Sequence, residues 1–473
     1  MAKTNIEIPV LDPSEAPRAR RWDALVMGSG LAALTAAARI GAAGQRVLMV
    51  EEDRRLTLPP ALKEPFFLGG LRDEGAVDAC LRALAVPLID RRRIGTERLA
   101  YQVAADPYRL DVGQPGITAD ELVAWGLAKP EEAQQRVGAI LDVSETERRL
   151  LLDSPFVKTG RRVPGLAGGR RGLPRDLIDP QTPFGKVASA QIRALSNLAL
   201  ATPGPEAAAR LLGVGLAGGV GFAGEPPWLA DLLRKRVTAL YGDIRTLTGE
   251  FDLVTVAGQP GIRIGRTGEI WLGRALVLAV PPSSLRDAYR VDGEDPTRPA
   301  PSLLCRTLPR AYRGVFLYRI PTAFLPEGMG ARLILPGRDD SEPTAFLTAF
   351  PSQTHPHAID LVVRAVLNLR EADQIPAETK RIRAQLTERL RALMPFSGDE
   401  LRSIDVEMPL WDSDDGWLED PEPDTGWPSD ADLRLSSRPP IYHLDRSAVA
   451  GLGLEGDLLL GWRGGDAIAA ELA

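Results

Sequence analysis

Residues 22–51 read WDALVMGSGLAALTAAARIGAAGQRVLMVE, and this stretch decides the fold. Residues 22–27 are a short apolar run of β character. They lead directly into Gly28-Ser29-Gly30-Leu31-Ala32-Ala33, which opens a helix of small residues. Gly44 suits the end of that helix, because glycine tolerates the left-handed backbone that closes one. Residues 46–50 form a second apolar run ending at Glu51, so strand, glycine-rich turn, helix and strand follow within about 30 residues, the length of one βαβ unit.

The spacing of the small residues has a chemical reading. Gly28 permits a tight turn out of the strand, Gly30 lets main chain approach a diphosphate, and Ala33 lets the helix pack close to the sheet. The helix start directs N–H groups and a positive dipole end at phosphate. Glu51 closes the second strand, where a carboxylate can accept from ribose hydroxyls; Glu52 beside it is the alternative acceptor. An acid here also disfavours a 2′-phosphate, and with it NADP. The expectation is a dinucleotide-binding Rossmann unit.

Outward from this unit, residues 1–20 read as an arm without period. Residues 71–224 read as mostly helical, interrupted by an Arg/Gly/Pro loop at 159–176. A β-rich stretch follows, in which 262–272 reads as a hairpin turning at Thr267-Gly268. Residues 378–394 have helical apolar spacing. Residues 411–432 form an acidic loop carrying Trp411, Trp417 and Trp427, read as solvated and pinned by its aromatics. The final stretch, 457–473, reads as a strand, a glycine-rich turn and a helix.

Bulk properties exclude several classes. The 473 residues are 44% hydrophobic and 25% charged with net charge −6, ordinary for a globular chain and without the basic footprint that nucleic acid requires. Two cysteines, Cys80 and Cys305, and three histidines argue against a disulfide framework or a structural zinc site. His355 and His357 read as an exposed loop rather than metal ligands. With no signal-peptide pattern and no apolar run of about 18 residues, a cytoplasmic location is expected, with peripheral membrane contact left open.

In blocks taken in order, the chain resembles the FAD-dependent amine oxidase and phytoene desaturase superfamily. The blocks are 22–52, then PPWLADLLRKRVTALYGDIRTLT, GEIWLGRALVLAVPPSSL, RIRAQLTERLRALMP, and RPPIYHLD followed by the C-terminal stretch. The resemblance implies an α/β fold: a Rossmann-type FAD-binding domain assembled from discontinuous segments (21–70, 225–300 and 445–473) and a second α+β substrate domain (71–224 and 301–444). FAD would sit with its adenosine end at Gly28, Ser29, Gly30, Leu31, Ala32, Ala33 and Glu51. Residues 247–251, with Phe251, would lie against adenine. Gly461, Trp462, Gly465, Asp466 and Ala467 would face the flavin, and His443 would come near it.

Two departures stand out: 53–70 lacks the family's Arg-bearing GGR loop, and Gly461-Trp462 stands where the family has Gly-Asp. The implied function is a desaturase-like oxidoreductase acting on an apolar, isoprenoid-like substrate, with no catalytic side chain assigned, since the cofactor carries the chemistry. The alternatives are a non-catalytic member that binds a lipid or a protein partner, and a subunit that holds FAD only within a complex.

Overall fold

The structure, a computed structural model, describes residues 8–15, 19–52, 66, 75–92, 94–96, 98–105, 107–153, 157–159, 173, 177, 179, 181–199, 203–218, 220–222, 229–247, 251–265, 268–280, 311–338, 342–368, 375–404, 410–411, 417–418 and 431–473. Its architecture rests on two nine-stranded sheets.

The first sheet is built on five parallel strands: Pro440–His443, Ile270–Leu278, Arg20–Met27, Val47–Glu52 and Asp243–Leu247, in that spatial order. Strands buried on both faces need near-continuous apolar runs, and LVM at 25–27, VLMV at 47–50 and ALVL at 275–278 supply them. One face packs on the Leu31–Ala42 helix, the Gly453–Leu472 helix and the Leu229–Ala239 helix. The other is covered by the antiparallel strands Phe251–Val256 and Gln259–Ile264, whose Leu253 and Ile262 join Leu25, Leu48 and Leu247 in one cluster. The turn between these two strands uses Ala257 and Gly258, both at positive φ, as a two-residue hairpin requires.

The expected hairpin at 262–272 is present, with Arg263 opposite Ile270; of its turn, Thr267 lies outside the described residues. The sheet also takes in segments that the expected boundaries place elsewhere. Val10–Leu11 of the arm pairs parallel with 255–256, and Ile8 is buried beside it. Arg434–Ser437 and Pro440–His443, expected in the second unit, are strands of this sheet.

The second sheet runs Arg402–Ser403, Ala311–Pro321, Ala358–Asn368, Ala345–Pro351, Arg332–Leu335, Leu99–Ala105 and Tyr108–Gly113. It is antiparallel except where Arg332–Leu335 meets Leu99–Ala105. The Ile375–Leu393 helix covers one face through Ile382, Leu386 and Leu390. Helices Pro115–Ala124, Pro130–Asp153, Pro183–Leu195 and Pro205–Leu216 cover the other. The 71–224 region therefore holds a sheet hairpin, 99–113, as well as helices. Among the described residues, no helix is long and apolar enough to cross a membrane.

The end of the chain differs from its expected strand, turn and helix. Residues 453–472 are one continuous helix. Its glycines are not breakers: they remove side chains where this helix crosses Leu31–Ala42. A Cβ on Gly461 would overlap the Ala32 carbonyl and Thr35, and one on Gly465 would lie 2.8 Å from Arg39 Cβ.

Candidate functional site

The carboxyl ends of the parallel strands bring together the first group of expected site residues. Gly28 has φ +136°, and a Cβ there would lie 2.5 Å from the Ala279 carbonyl oxygen. Its N–H donates to Val50 O at 2.9 Å, so the turn is stitched to both flanking strands. Only glycine fits this backbone and this space. Gly30 is the N-cap of Leu31–Ala42, extended at φ −73° and ψ 171°, with no side chain capping the first turn. Such a helix start favours an anionic group. Ala33 is fully buried and would be 3.3 Å from a Cβ on Gly28, so a larger side chain would displace the turn. Leu31 is buried, while Ser29 and Ala32 are half-buried.

Glu51 stands one residue beyond the Met27–Val50 pairing, at the neighbouring strand end. It is buried to 8% exposure and pairs with Arg234 of the Leu229–Ala239 helix. Sequence reading missed this partner. A carboxylate offers about four lone-pair sites, so one guanidinium contact leaves acceptors for hydroxyls. The Glu52 side chain and residues 53–65 and 67–74, where the GGR loop would stand, lie outside the described residues. Phe251 is half-buried and pairs with Ile264 on the hairpin covering the sheet, whereas Leu247 ends the strand beside Glu51 and Glu52.

The second group does not form the expected site. Gly461, Trp462, Gly465, Asp466 and Ala467 all lie inside the last helix. Trp462 packs among apolar residues with the Arg463 guanidinium 4.2 Å from its ring centroid, and Asp466 pairs with Arg39. The arrangement of strand, acid and helix start occurs earlier. Pro440–His443 is the strand, Asp445 follows two residues on, and the helix begins at Gly453. Asp445 is exposed and accepts from the Ser447 N–H at 3.0 Å and Oγ at 2.7 Å.

His443 hydrogen-bonds the Val280 backbone. Burial holds its pKa below the usual imidazole value, against the opposing charge of Asp445 and that hydrogen bond.

A buried ionic network surrounds the start of the last helix. Arg210 Nε donates to Glu455 at 2.7 Å and its Nη1 to the Ser144 carbonyl at 3.1 Å. Arg446 grips Asp457 at 2.8 and 2.7 Å. Asn197 Nδ2 donates to the same carboxylate at 3.0 Å, and Arg313 of the second sheet donates to Asn197 Oδ1 at 3.1 Å and to Ser196 O. The sequence signal was present but weak: two acids in an otherwise apolar helix start, and an arginine in the Ala-rich 205–216 segment. Beside Arg210, Glu147 is fully buried and neither of its carboxylate oxygens is hydrogen-bonded. Burial pushes its pKa up to about 7, Glu206 adds to the rise, and Arg210 opposes it.

The remaining candidates are structural. His355 is exposed and contacts Arg319 at 2.6 Å, and His357 is exposed at positive φ. Among the described residues, no group of three potential ligands could hold a metal. Cys80 is buried, and burial pushes its thiol up to about 12, leaving it unreactive. Cys305, Trp427, nearly all of the 159–176 loop and the PPSSL segment lie outside the described residues.

No family model matches the sequence, and no curated protein matches it. Among solved structures the chain is similar to an oxidoreductase from Methanosarcina mazei, with TM-score 0.56 and 14% identity over 93% of this chain and 99% of that one. It is similar to cyclohexylamine oxidase from Brevibacterium oxydans IH-35A, with TM-score 0.51 and 16% identity over 95% and 99%. A triple mutant of putrescine oxidase redesigned in cofactor binding gives TM-score 0.52 and 14% identity over 95% and 99%. At these identities the likeness is one of fold: the chain has the α/β architecture of these oxidoreductases, with a Rossmann-type half assembled from discontinuous segments and a second α+β half.

Proposed function

We propose that the chain is an FAD-dependent oxidoreductase. The observation that carries this reading is the strand edge where Gly28, the Leu31–Ala42 helix start and Glu51 converge, a donor and acceptor set that fits the adenosine diphosphate half of the cofactor. Bound FAD supplies a two-electron acceptor for hydride withdrawn from a C–C or C–N bond. The chain's own part is to bind and orient. The Gly28 turn and the helix start hold the diphosphate, Glu51 takes the ribose hydroxyls, and Asp445 lies on the side toward which the second half extends. The names of the similar structures, oxidoreductase and amine oxidase, support the reaction class. Residues 21–70, 225–300 and 445–473, together with strands 434–443, would form the cofactor-holding unit.

A second reading, a non-catalytic protein of the same architecture, is favoured by one observation. The last helix does not begin at an open cleft: the Gly453 N–H donates to Ala450, and the Leu195 carbonyl packs against the Gly453 α-carbon. The absorption spectrum of purified protein separates the two. Flavin bands that disappear in Gly30→Val support the enzyme reading; a colourless protein that does not take up added FAD removes it.

A further inference from the structure

The edge of the first sheet opposite Gly28 and Glu51 is made of strand starts and of the last turns of the helices that return to them. The Leu31–Ala42 and Leu229–Ala239 helices both end there, since each leads into a parallel strand, Val47–Glu52 and Asp243–Leu247. The segment after the Ala76–Ala83 helix is fastened to the same edge. Arg39 Nη1, in the last turn of the first helix, donates to Ala83 O at 2.9 Å, and Arg236 Nε, in the last turn of the second, donates to Leu84 O at 2.7 Å.

Residues 87–93 read PLIDRRR. Leu84 and Val86 just before them are buried in the core of this half, whereas Leu88 and Ile89, on the short Leu88–Arg91 helix, are 50% and 69% exposed. Arg91 ties that helix down, donating to Val86 O at 3.3 Å and to Asp78 at 3.2 Å. On the strand starts of the same edge stand Tyr241, 93% exposed and two residues before Asp243, and Arg46, exposed and two residues before Leu48, the residue paired with Asp243. A fastened segment that holds adjacent Leu and Ile side chains in water forgoes hydrophobic free energy that a contacting surface restores.

The charge around the pair selects that surface. Arg46, Arg82 and Arg92 are exposed on this edge. Of the acids there, Asp78 is held by Arg82 and Arg91, Asp23 by Arg274, and Asp243 accepts from Trp22 Nε1 at 2.9 Å; Asp90 adjoins the pair. An apolar tip among guanidiniums matches an anionic bilayer: aliphatic side chains enter the headgroup boundary, tyrosine lies at its level, and the cations meet acidic lipid headgroups. A second copy of the chain matches less well, because a stable protein interface takes about 20–30 residues a side and the apolar part of this tip is Leu88, Ile89 and Tyr241.

We propose that this edge docks the protein on an anionic membrane surface, with Leu88 and Ile89 inserted. The chain carries −6 overall, so the attraction is confined to this edge and sets the orientation. The carboxyl ends of the strands, with Gly28 and Glu51, then face away from the bilayer. The docking does not depend on FAD.

The test is sedimentation of the full chain with vesicles of phosphatidylcholine alone and of phosphatidylcholine with phosphatidylserine. Wild type is expected to bind the phosphatidylserine vesicles, to leave the neutral ones unbound, and to be released as salt screens the charges. The Leu88→Gln/Ile89→Gln double variant should bind about tenfold more weakly or worse, with an unchanged melting temperature because both side chains are exposed. Phe396→Gln, which removes an 87% exposed ring from the second half, is the control and should bind as wild type does. No binding of wild type to the anionic vesicles, or equal losses in the control and the double variant, overturns the proposal. A wild-type dimer in analytical ultracentrifugation that the double variant abolishes assigns the tip to a second copy and overturns it as well.

Discussion

The α-carbon of Gly461 in the last helix lies directly against the main-chain carbonyl of Ala32 in the first, so the two helices meet with no side chain between them. Ala32 belongs to the turn of helix that follows Gly30, and the contact therefore sets the angle at which that helix presents its start to a phosphate. Gly461→Val should force the helices apart, costing about 1–3 kcal/mol, the range for overpacked interiors. FAD affinity should fall with it. Urea unfolding checks the first effect and titration the second. Gly138→Ala is the control: a Cβ there meets nothing within 4 Å, and the Pro130–Asp153 helix should gain about 0.5–1 kcal/mol.

Trp462 tests where the flavin half lies. Replacing it with Asp places a carboxylate in a packed cluster and removes the ring beneath Arg463. Trp462→Asp should cost about 3–5 kcal/mol, as the loss of a buried aromatic does, with no gain in FAD affinity. Tighter FAD binding by this variant would return the flavin side to residue 462.

Glu51 and Arg234 make separable contributions. Glu51→Ala should weaken FAD by about 1.5–3 kcal/mol, the range for hydrogen bonds to charged groups. Arg234 is 38% exposed, so its pairing is screened and should be worth under about 1 kcal/mol of stability. A double-mutant cycle in thermal unfolding measures that coupling, and Arg234→Ala should change FAD affinity far less than Glu51→Ala. A larger loss from Arg234→Ala than from Glu51→Ala would make the guanidinium, not the carboxylate, the cofactor contact.

Glu147 makes stability depend on pH. Its folded pKa is raised to about 7 from an ordinary 4.5, so the folded state holds a proton that the unfolded chain releases. The stability tied to the neutral acid is complete below about pH 4.5 and is lost as pH rises toward 7. Glu147→Gln should remove this slope and be more stable than wild type at pH 8 by about 2–3 kcal/mol. Denaturant titrations at pH 5 and 8 settle it; equal stability of the two proteins at pH 8 would mean the carboxylate has found a partner.

What was legible in the sequence was local. The βαβ unit spans 30 residues, and each feature of it acts on its near neighbours: the Gly28 turn, the small face of the helix, the acid at the strand end. The 99–113 hairpin was hidden because its strands pair with one another and with Arg332–Leu335, more than 200 positions away, inside a region of helical composition. The glycines of the last helix read as a turn because glycine usually breaks helices. Here the partner helix supplies the reason for them, and no pattern within 20 residues encodes it. The buried Arg210–Glu455 ion pair and the Asn197–Asp457 hydrogen bond join residues 245 and 260 positions apart, beyond the reach of any local pattern. Gly461-Trp462 resembles the C-terminal motif in sequence but lies inside the last helix, whereas the strand that precedes that helix ends at His443, two residues before Asp445.

The crossing of the first and last helices has a consequence for biosynthesis. Arg39 and Asp466, which pair at that crossing, are 427 positions apart in the chain, and the outermost parallel strand, Pro440–His443, is made shortly before the last helix. Strands Asp243–Leu247 and Ile270–Leu278 can pair with the first βαβ unit once the middle of the chain is made, but its helix face still lacks the last helix, and an apolar face left uncovered is prone to aggregation. This half of the molecule is therefore completed only when the last helix has been made.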